Sequence, residues 1–177
     1  MEIEKKFKVS IDFDKIRTVV FTNGFEETGI SHQIDTYFLV NEHINGKEIY
    51  LRLRYDEIEK KYSFDFHEVI SNLSTKETEI SISKDDYDKF LYIMLGMNYS
   101  IKAIVNKTRI TFKNNECTIV LDNVSDLGTF IEIEVEDEDE NIALPVLQKY
   151  QNILSLNDQD LIEGCGYPDL IIKKYKE

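Results

Sequence analysis

A chain of 177 residues falls within the range of one compact domain, and no stretch is rich enough in Pro or Gly to act as a linker, so one domain over residues 1–177 is expected. Its 34 acidic against 21 basic residues give a formal net charge of −13, which opposes binding to a nucleic-acid duplex or an anionic membrane. It has neither the run of about 20 apolar residues of a membrane span nor a secretory leader, and its two cysteines, Cys117 and Cys165, are too few for a disulfide framework or a zinc site; a cytoplasmic location with reduced thiols is expected.

Residues 1–9 read as a strand in which Glu2, Glu4 and Lys6 share one face. Asp12 to Thr22 reads as a short helix capped by Asp12, with Ile16, Val19 and Val20 on its buried side, ended by a turn at Asn23–Gly24. Four strands follow at 31–41, 48–56, 61–70 and 76–82 as a meander, with Asn45–Gly46 as the hairpin signal between the first two. Ser83 caps a helix through Leu95, on which Tyr87, Phe90, Leu91 and Met94 recur at helical spacing. Strands return at 99–113, 116–123 and 129–136, with a turn at Asn114–Asn115. The acids of 137–140 read as solvating and capping a last amphipathic helix, Ile142 to Leu154, in which Pro145 is tolerated only near the first turn. Strand edges and the aromatic helix near Phe90 need cover, which makes a homodimer a possible assembly.

The charged residues alternate with apolar ones in strand after strand. Arg52 and Arg54 alternate with Leu51 and Leu53, Glu77 shares a face with Glu79, Lys107 with Arg109, and Glu132 and Glu134 alternate with Ile131 and Ile133. Any one such strand could be the wet side of an open sheet. A set in which some strands carry only acids and others only bases instead suggests that the charged faces look at one another. The fold class expected is therefore α+β: an antiparallel, eight-stranded, closed or cupped β-barrel with helices packed outside. Inside it, acids could hold divalent cations and bases a polyanion, which describes a site for a metal-bound polyphosphate.

The same residues resemble the CYTH superfamily, also called triphosphate tunnel metalloenzymes, which includes class IV adenylyl cyclases, thiamine triphosphatases and tripolyphosphatases. The matching elements are Glu2-x-Glu4-x-Lys6, Gln33-x-Asp35-Thr-Tyr37-Phe38, Leu51-Arg52-Leu53-Arg54, Lys107-x-Arg109 and the run from Leu121-Asp122 through Leu127-Gly128-x-Phe130 to Glu132-Ile133-Glu134. They cover residues 1 to 136 in order, and Gly166-Tyr167-x-x-Leu170-Ile171 is similar to the family's closing segment. The resemblance implies Mg²⁺ or Mn²⁺ held by Glu2, Glu4, Glu132 and Glu134, with Asp122 also in the acidic site. It implies catalysis through Glu2, Glu4, Lys6 and Glu134, and a small-molecule triphosphate substrate gripped by Arg52 and Arg54 through paired donors and by Lys6, Lys107 and Arg109.

Two positions depart from the family. Where it carries a lysine on the strand after the arginine pair, this chain offers Asp65 and His67, and Lys76 is the nearest substitute for an arginine ahead of the next acidic strand. His67 and Lys76 are accordingly taken as substrate-binding candidates, His67 also as a structural residue. Asp35 and Tyr37 are read as a core pair as readily as substrate contacts. A triphosphate phosphohydrolase is the favoured expectation, a class IV adenylyl cyclase making cyclic AMP and pyrophosphate from ATP is the alternative, and a non-catalytic polyphosphate-binding module is the second alternative.

Overall fold

A strand that alternates charged and apolar side chains can bury both faces only if one meets other charges and the other meets helices. The computed structural model describes residues 1–10, 13–39, 49–164 and 166–176, and it has this inverted arrangement. The strands are β1 (Glu2–Val9), β2 (Glu26–Leu39), β3 (Ile49–Asp56), β4 (Lys61–Val69), β5 (Ser74–Ile82), β6 (Ser100–Lys113), β7 (Thr118–Val124), β8 (Gly128–Glu136) and a two-residue β9 (Leu161–Ile162). Helices α1 (Phe13–Thr22), α2 (Lys84–Gly96), α3 (Glu140–Ile153) and α4 (Tyr167–Lys174) lie outside. Among the described residues no helix is long and apolar enough to cross a membrane.

Antiparallel pairing runs in the order β5-β4-β3-β2-β6-β7-β8-β1, and β1 returns to β5 through Glu2↔Thr75 and Ile3↔Ser74 to close an eight-stranded barrel. The closing seam is short. At its end the Glu4 N–H donates to the Leu73 carbonyl at 2.8 Å, and beyond that β1 pairs with β9 instead, at Lys6↔Ile162 and Phe7↔Leu161. The carboxyl-terminal segment thus occupies the gap where β1 and β5 diverge.

Most of the apolar core is on the outside of the wall, and a smaller cluster of Val105, Val124 and Phe130 lies on the inner face with Tyr167. Ile3, Phe7, Ile119, Leu121, Ile131 and Ile133 are fully buried on the outer face of β1, β7 and β8, where they pack beneath Ile16 and Val20 of α1 and Ala143 and Leu147 of α3. Burial of each large side chain of this kind contributes about 1.5–3 kcal/mol. A second outer cluster joins Phe38, Leu53 and Phe64 to Met94 of α2, with the Phe64 and Phe90 rings stacked at 4.8 Å. The Ser83 hydroxyl caps α2 by accepting from the Asp86 N–H, and Asp139 caps α3. Both caps fall where the polar residues ahead of each periodic run place them.

Several boundaries differ from expectation. Strand β2 starts at Glu26, five residues early, because its first turns pair with the far end of β6 (Glu26↔Lys113) where Glu26 to Ile30 are all exposed; with no buried face there is no alternation to read. β7 starts at Thr118 because the Asn114 carboxamide accepts from the Glu116 and Cys117 N–H groups, both at 2.9 Å, and draws those residues into the turn. β9 and α4 were not anticipated. The Asp12 cap, the Asn45–Gly46 hairpin signal and Cys165 lie outside the described residues.

Candidate active site

Register places the charged residues. Glu4 faces Glu134 and Lys6 faces Glu132 across β1 and β8, Arg52 and Arg54 lie opposite Tyr37 and Asp35 of β2, and Arg109 lies opposite Asp122 of β7. Period 2 turns these side chains into the barrel, where all but the fully buried Asp35 and Asp122 line a cavity of about 260 Å³. That is near the lower end of small-ligand sites.

One wall is acidic and incompletely neutralised. Ligand oxygens of Glu2, Glu4 and Glu134 all lie within 4.8 Å of one another. Burial, then Glu77 and Glu4, push the Glu2 carboxyl up to about 7; burial and Glu2 push Glu134 well above the carboxylate range, and burial raises Glu4 as well. The cations within reach are Lys6, 3.0 Å from Glu4, and Arg109, 3.9 Å from Glu134. Three oxygen donors crowded against their own repulsion form the chemistry that a hard divalent ion relieves, so the residues fit Mg²⁺ or Mn²⁺.

The other wall is basic and paired. Arg54 forks onto Asp35 at 2.6 and 2.7 Å, Arg109 forks onto Asp122 at 2.9 and 2.6 Å, and Arg52 Nε donates to Asp65 at 2.7 Å. Lys107 sits between Asp122 (3.6 Å) and Asp35 (4.0 Å), yet burial and the neighbouring Arg109 pull its ammonium down to about 8. Burial would raise Asp35, but Arg54, Arg52 and Lys107 more than offset it and hold the carboxyl well below its usual range. Buried cations need such partners, because an unpaired one would cost several kcal/mol. Each aspartate backs its arginine from within the wall, and the bidentate pairs leave the Nη1 donors of Arg54 and Arg109 unused by Asp35 and Asp122.

Of the residues expected at the site, Glu2, Glu4, Lys6, Arg52, Arg54, His67, Lys107, Arg109, Glu132 and Glu134 converge on the one cavity. Two of the five acids expected to bind metal stand apart. Glu132 bridges Lys6 at 3.1 Å and Arg109 at 2.5 Å, and Asp122 is fully buried beneath Arg109 and Lys107, so in this structure both are counter-ions, and the close carboxylate group is Glu2, Glu4 and Glu134. Lys76 is a correction. Thr75 and Glu77 line the cavity, so strand alternation turns Lys76 outward, where it is exposed and pairs across the strand with Glu68. Asp35 and Tyr37 join the basic wall, Asp35 as the partner of Arg54, and Tyr37 as an acceptor 3.5 Å from Arg52.

Two of the lining residues that were missed make polar contacts with the expected ones. Glu77 meets His67 Nδ1 at 2.8 Å and Arg52 at 3.8 Å; its alternation with Glu79 was the available signal. Tyr167 arrives from α4 with its ring under the Lys6 and Lys107 ammonium groups, 4.6 and 5.0 Å from the centroid, and its hydroxyl donates to Asp122 at 2.9 Å. Only the tertiary docking of α4, pinned by Lys102 to Asp169 at 2.7 Å, brings it there.

Comparison with known proteins gives a consistent fold. The CYTH domain profile matches residues 1–164. A Methanocaldococcus jannaschii protein provisionally named an adenylate cyclase is 26% identical over 155 residues, 87% of each chain. A protein from Pyrococcus horikoshii superposes with a TM-score of 0.85 at 25% identity, and a conserved hypothetical protein from Pyrococcus furiosus with 0.84 at 27%; each comparison covers 96% of this chain and 99% of the other.

Proposed function

The chain belongs to the CYTH domain family, and we propose that it is a divalent-metal-dependent triphosphate phosphohydrolase. One observation carries the reading: a crowded group of three carboxylates faces a wall of paired arginines and lysines inside one cavity. A triphosphate with its cation is complementary to both walls at once. Glu2, Glu4 and Glu134 would hold Mg²⁺ or Mn²⁺, which when bound polarises a phosphoryl group and lowers the pKa of a coordinated water.

The chain's own residues supply the remainder. Arg52 and Arg54 hold phosphate oxygens from one side, and Lys107 and Arg109 from the next strand, so that negative charge developing on the transferred and leaving oxygens is met by donors already in place. Their aspartate partners keep the guanidinium groups oriented before the substrate arrives. Lys6, held protonated by Glu132 and Glu4 despite burial, stands between the acidic and basic walls, where it would neutralise the phosphoryl group that both walls contact.

The second reading is an adenylyl cyclase, favoured by the name of the 26%-identical relative. It uses the same walls, with a ribose hydroxyl in place of water and pyrophosphate as the leaving group. Phosphorus NMR of the protein with Mg²⁺ or Mn²⁺ and, separately, tripolyphosphate, ATP and thiamine triphosphate tests both. Release of orthophosphate is the expected result, and the fastest substrate names the class. Cyclic AMP with pyrophosphate from ATP would replace the hydrolase by the cyclase. Unchanged substrates whose lines broaden on adding protein would leave a binding module and sink both enzymes.

A further inference from the structure

His67 is the one histidine that lines the cavity among the described residues, and its two ring nitrogens are treated differently. Nδ1 lies 2.8 Å from the Glu77 carboxylate, whereas Nε2 is buried and has no hydrogen-bond partner, although the residue is only 7% exposed. A carboxylate at Nδ1 requires the proton there, so Nε2 is the free position. In the neutral ring Nε2 is a lone pair, which repels a phosphate oxygen; in the imidazolium it is an N–H donor, which such an oxygen accepts from. The charged and titratable groups around it are Glu77 from β5, Arg52 and Tyr50 from β3, Tyr37 from β2 with ring centroids 6.5 Å apart, and Asp65 on its own strand, already bound to Arg52. Glu77 is the carboxylate placed to compensate an imidazolium.

Resting on the reading that the cavity binds a triphosphate, we propose that His67, oriented by Glu77, is a proton-dependent phosphate ligand that adds a cation to the Arg52 and Arg54 wall only when its ring is protonated. Affinity for the polyphosphate then falls more steeply as pH rises than it would without this ring. A lysine at the same place would supply a cation that persists to higher pH, and a glutamine none.

Calorimetric titration of tripolyphosphate into the chelator-treated full chain at pH 6 and pH 8, for wild type, His67→Lys and His67→Gln, separates these cases. Ionisation of tripolyphosphate, of Lys107 and of Glu2 is common to all three proteins and cancels in their ratios. Expected is a wild-type affinity that drops at least about tenfold more than that of His67→Lys between the two pH values, with His67→Gln weaker than wild type at pH 6. Equal pH profiles for wild type and His67→Lys, or equal affinities for wild type and His67→Gln at pH 6, would overturn the role while leaving the phosphate site intact. No binding by wild type at either pH would overturn the phosphate site itself, and this role with it.

Discussion

The two charged walls of the barrel are built on opposite principles. On the basic side each arginine has its own buried acid, Asp65 for Arg52, Asp35 for Arg54 and Asp122 for Arg109, so the wall is close to neutral and its geometry is set before any ligand binds. On the acidic side Glu2, Glu4 and Glu134 share partial contacts with Lys6 and Arg109, and their carboxyls are raised by burial and by one another. The difference teaches which partner each wall requires. A paired wall can orient an anion with little reorganisation, whereas a frustrated one favours a cation that is not part of the chain.

The largest expected effect comes from removing a carboxylate of the frustrated wall. Glu134→Gln should lower metal-dependent turnover by about a thousandfold or more, since a ligand and a negative charge vanish together. In chelator the same variant should melt no lower than wild type, because a repulsive charge has gone while the outer apolar core is untouched. Turnover and thermal unfolding of one preparation check both halves, and wild-type turnover would remove Glu134 from the site. The reverse pattern is expected on the paired wall: Asp122→Asn leaves Arg109 and Lys107 short of a buried counter-charge and should cost about 3–5 kcal/mol in denaturant unfolding.

Much of this contrast was legible in the sequence. Segregation of Glu2, Glu4, Glu132 and Glu134 from Arg52, Arg54, Lys107 and Arg109 on strands of period 2 is a local pattern, and it carried the barrel, the inward faces and these eight lining residues, with Lys6 on the face of Glu2 and Glu4; His67 came from the family resemblance. What was not legible depends on register and on distant docking. Whether Asp122 meets a metal or Arg109 is decided by its place opposite Arg109, and Lys76 differs from Glu77 only in the parity of a strand whose start was read two residues late. Tyr167 is brought in by α4, a helix of eight residues with no periodic run long enough to announce its packing.

A smaller effect separates substrate grip from metal grip. Arg54→Ala should raise the half-saturating triphosphate concentration by about 10- to 100-fold while the half-saturating Mg²⁺ changes little, since Arg54 belongs to the paired wall. It also leaves Asp35 without its forked partner, so the comparison is made at a temperature where circular dichroism shows the variant folded. Equal shifts in both constants would mean that the two walls do not act separately.

The smallest expected effect is on stability against pH, and its sign follows from the frustrated wall. Glu2 has its carboxyl raised from an ordinary 4.5 to about 7, so between those values the folded protein holds a proton that the unfolded chain has released. The stabilisation is complete below about 4.5 and is lost as pH rises through about 7, which makes the chelator-treated protein less stable at pH 8 than at pH 5 by on the order of 1 kcal/mol from this group. The depressed carboxyls of Asp35 and Glu77 act at lower pH, and Lys107, lowered to about 8, acts mainly above the window and in the opposite direction. Glu2→Gln should therefore flatten the unfolding profile between pH 5 and pH 8, whatever the other titrating groups contribute. Saturating Mg²⁺ should act in the same sense on wild type, because a bound cation replaces the proton as the compensating charge and stabilises the ionised wall. If wild type in chelator and Glu2→Gln keep parallel profiles, the repulsion on this wall is relieved by some means other than protonation of Glu2, and the contrast between the walls would rest on geometry alone.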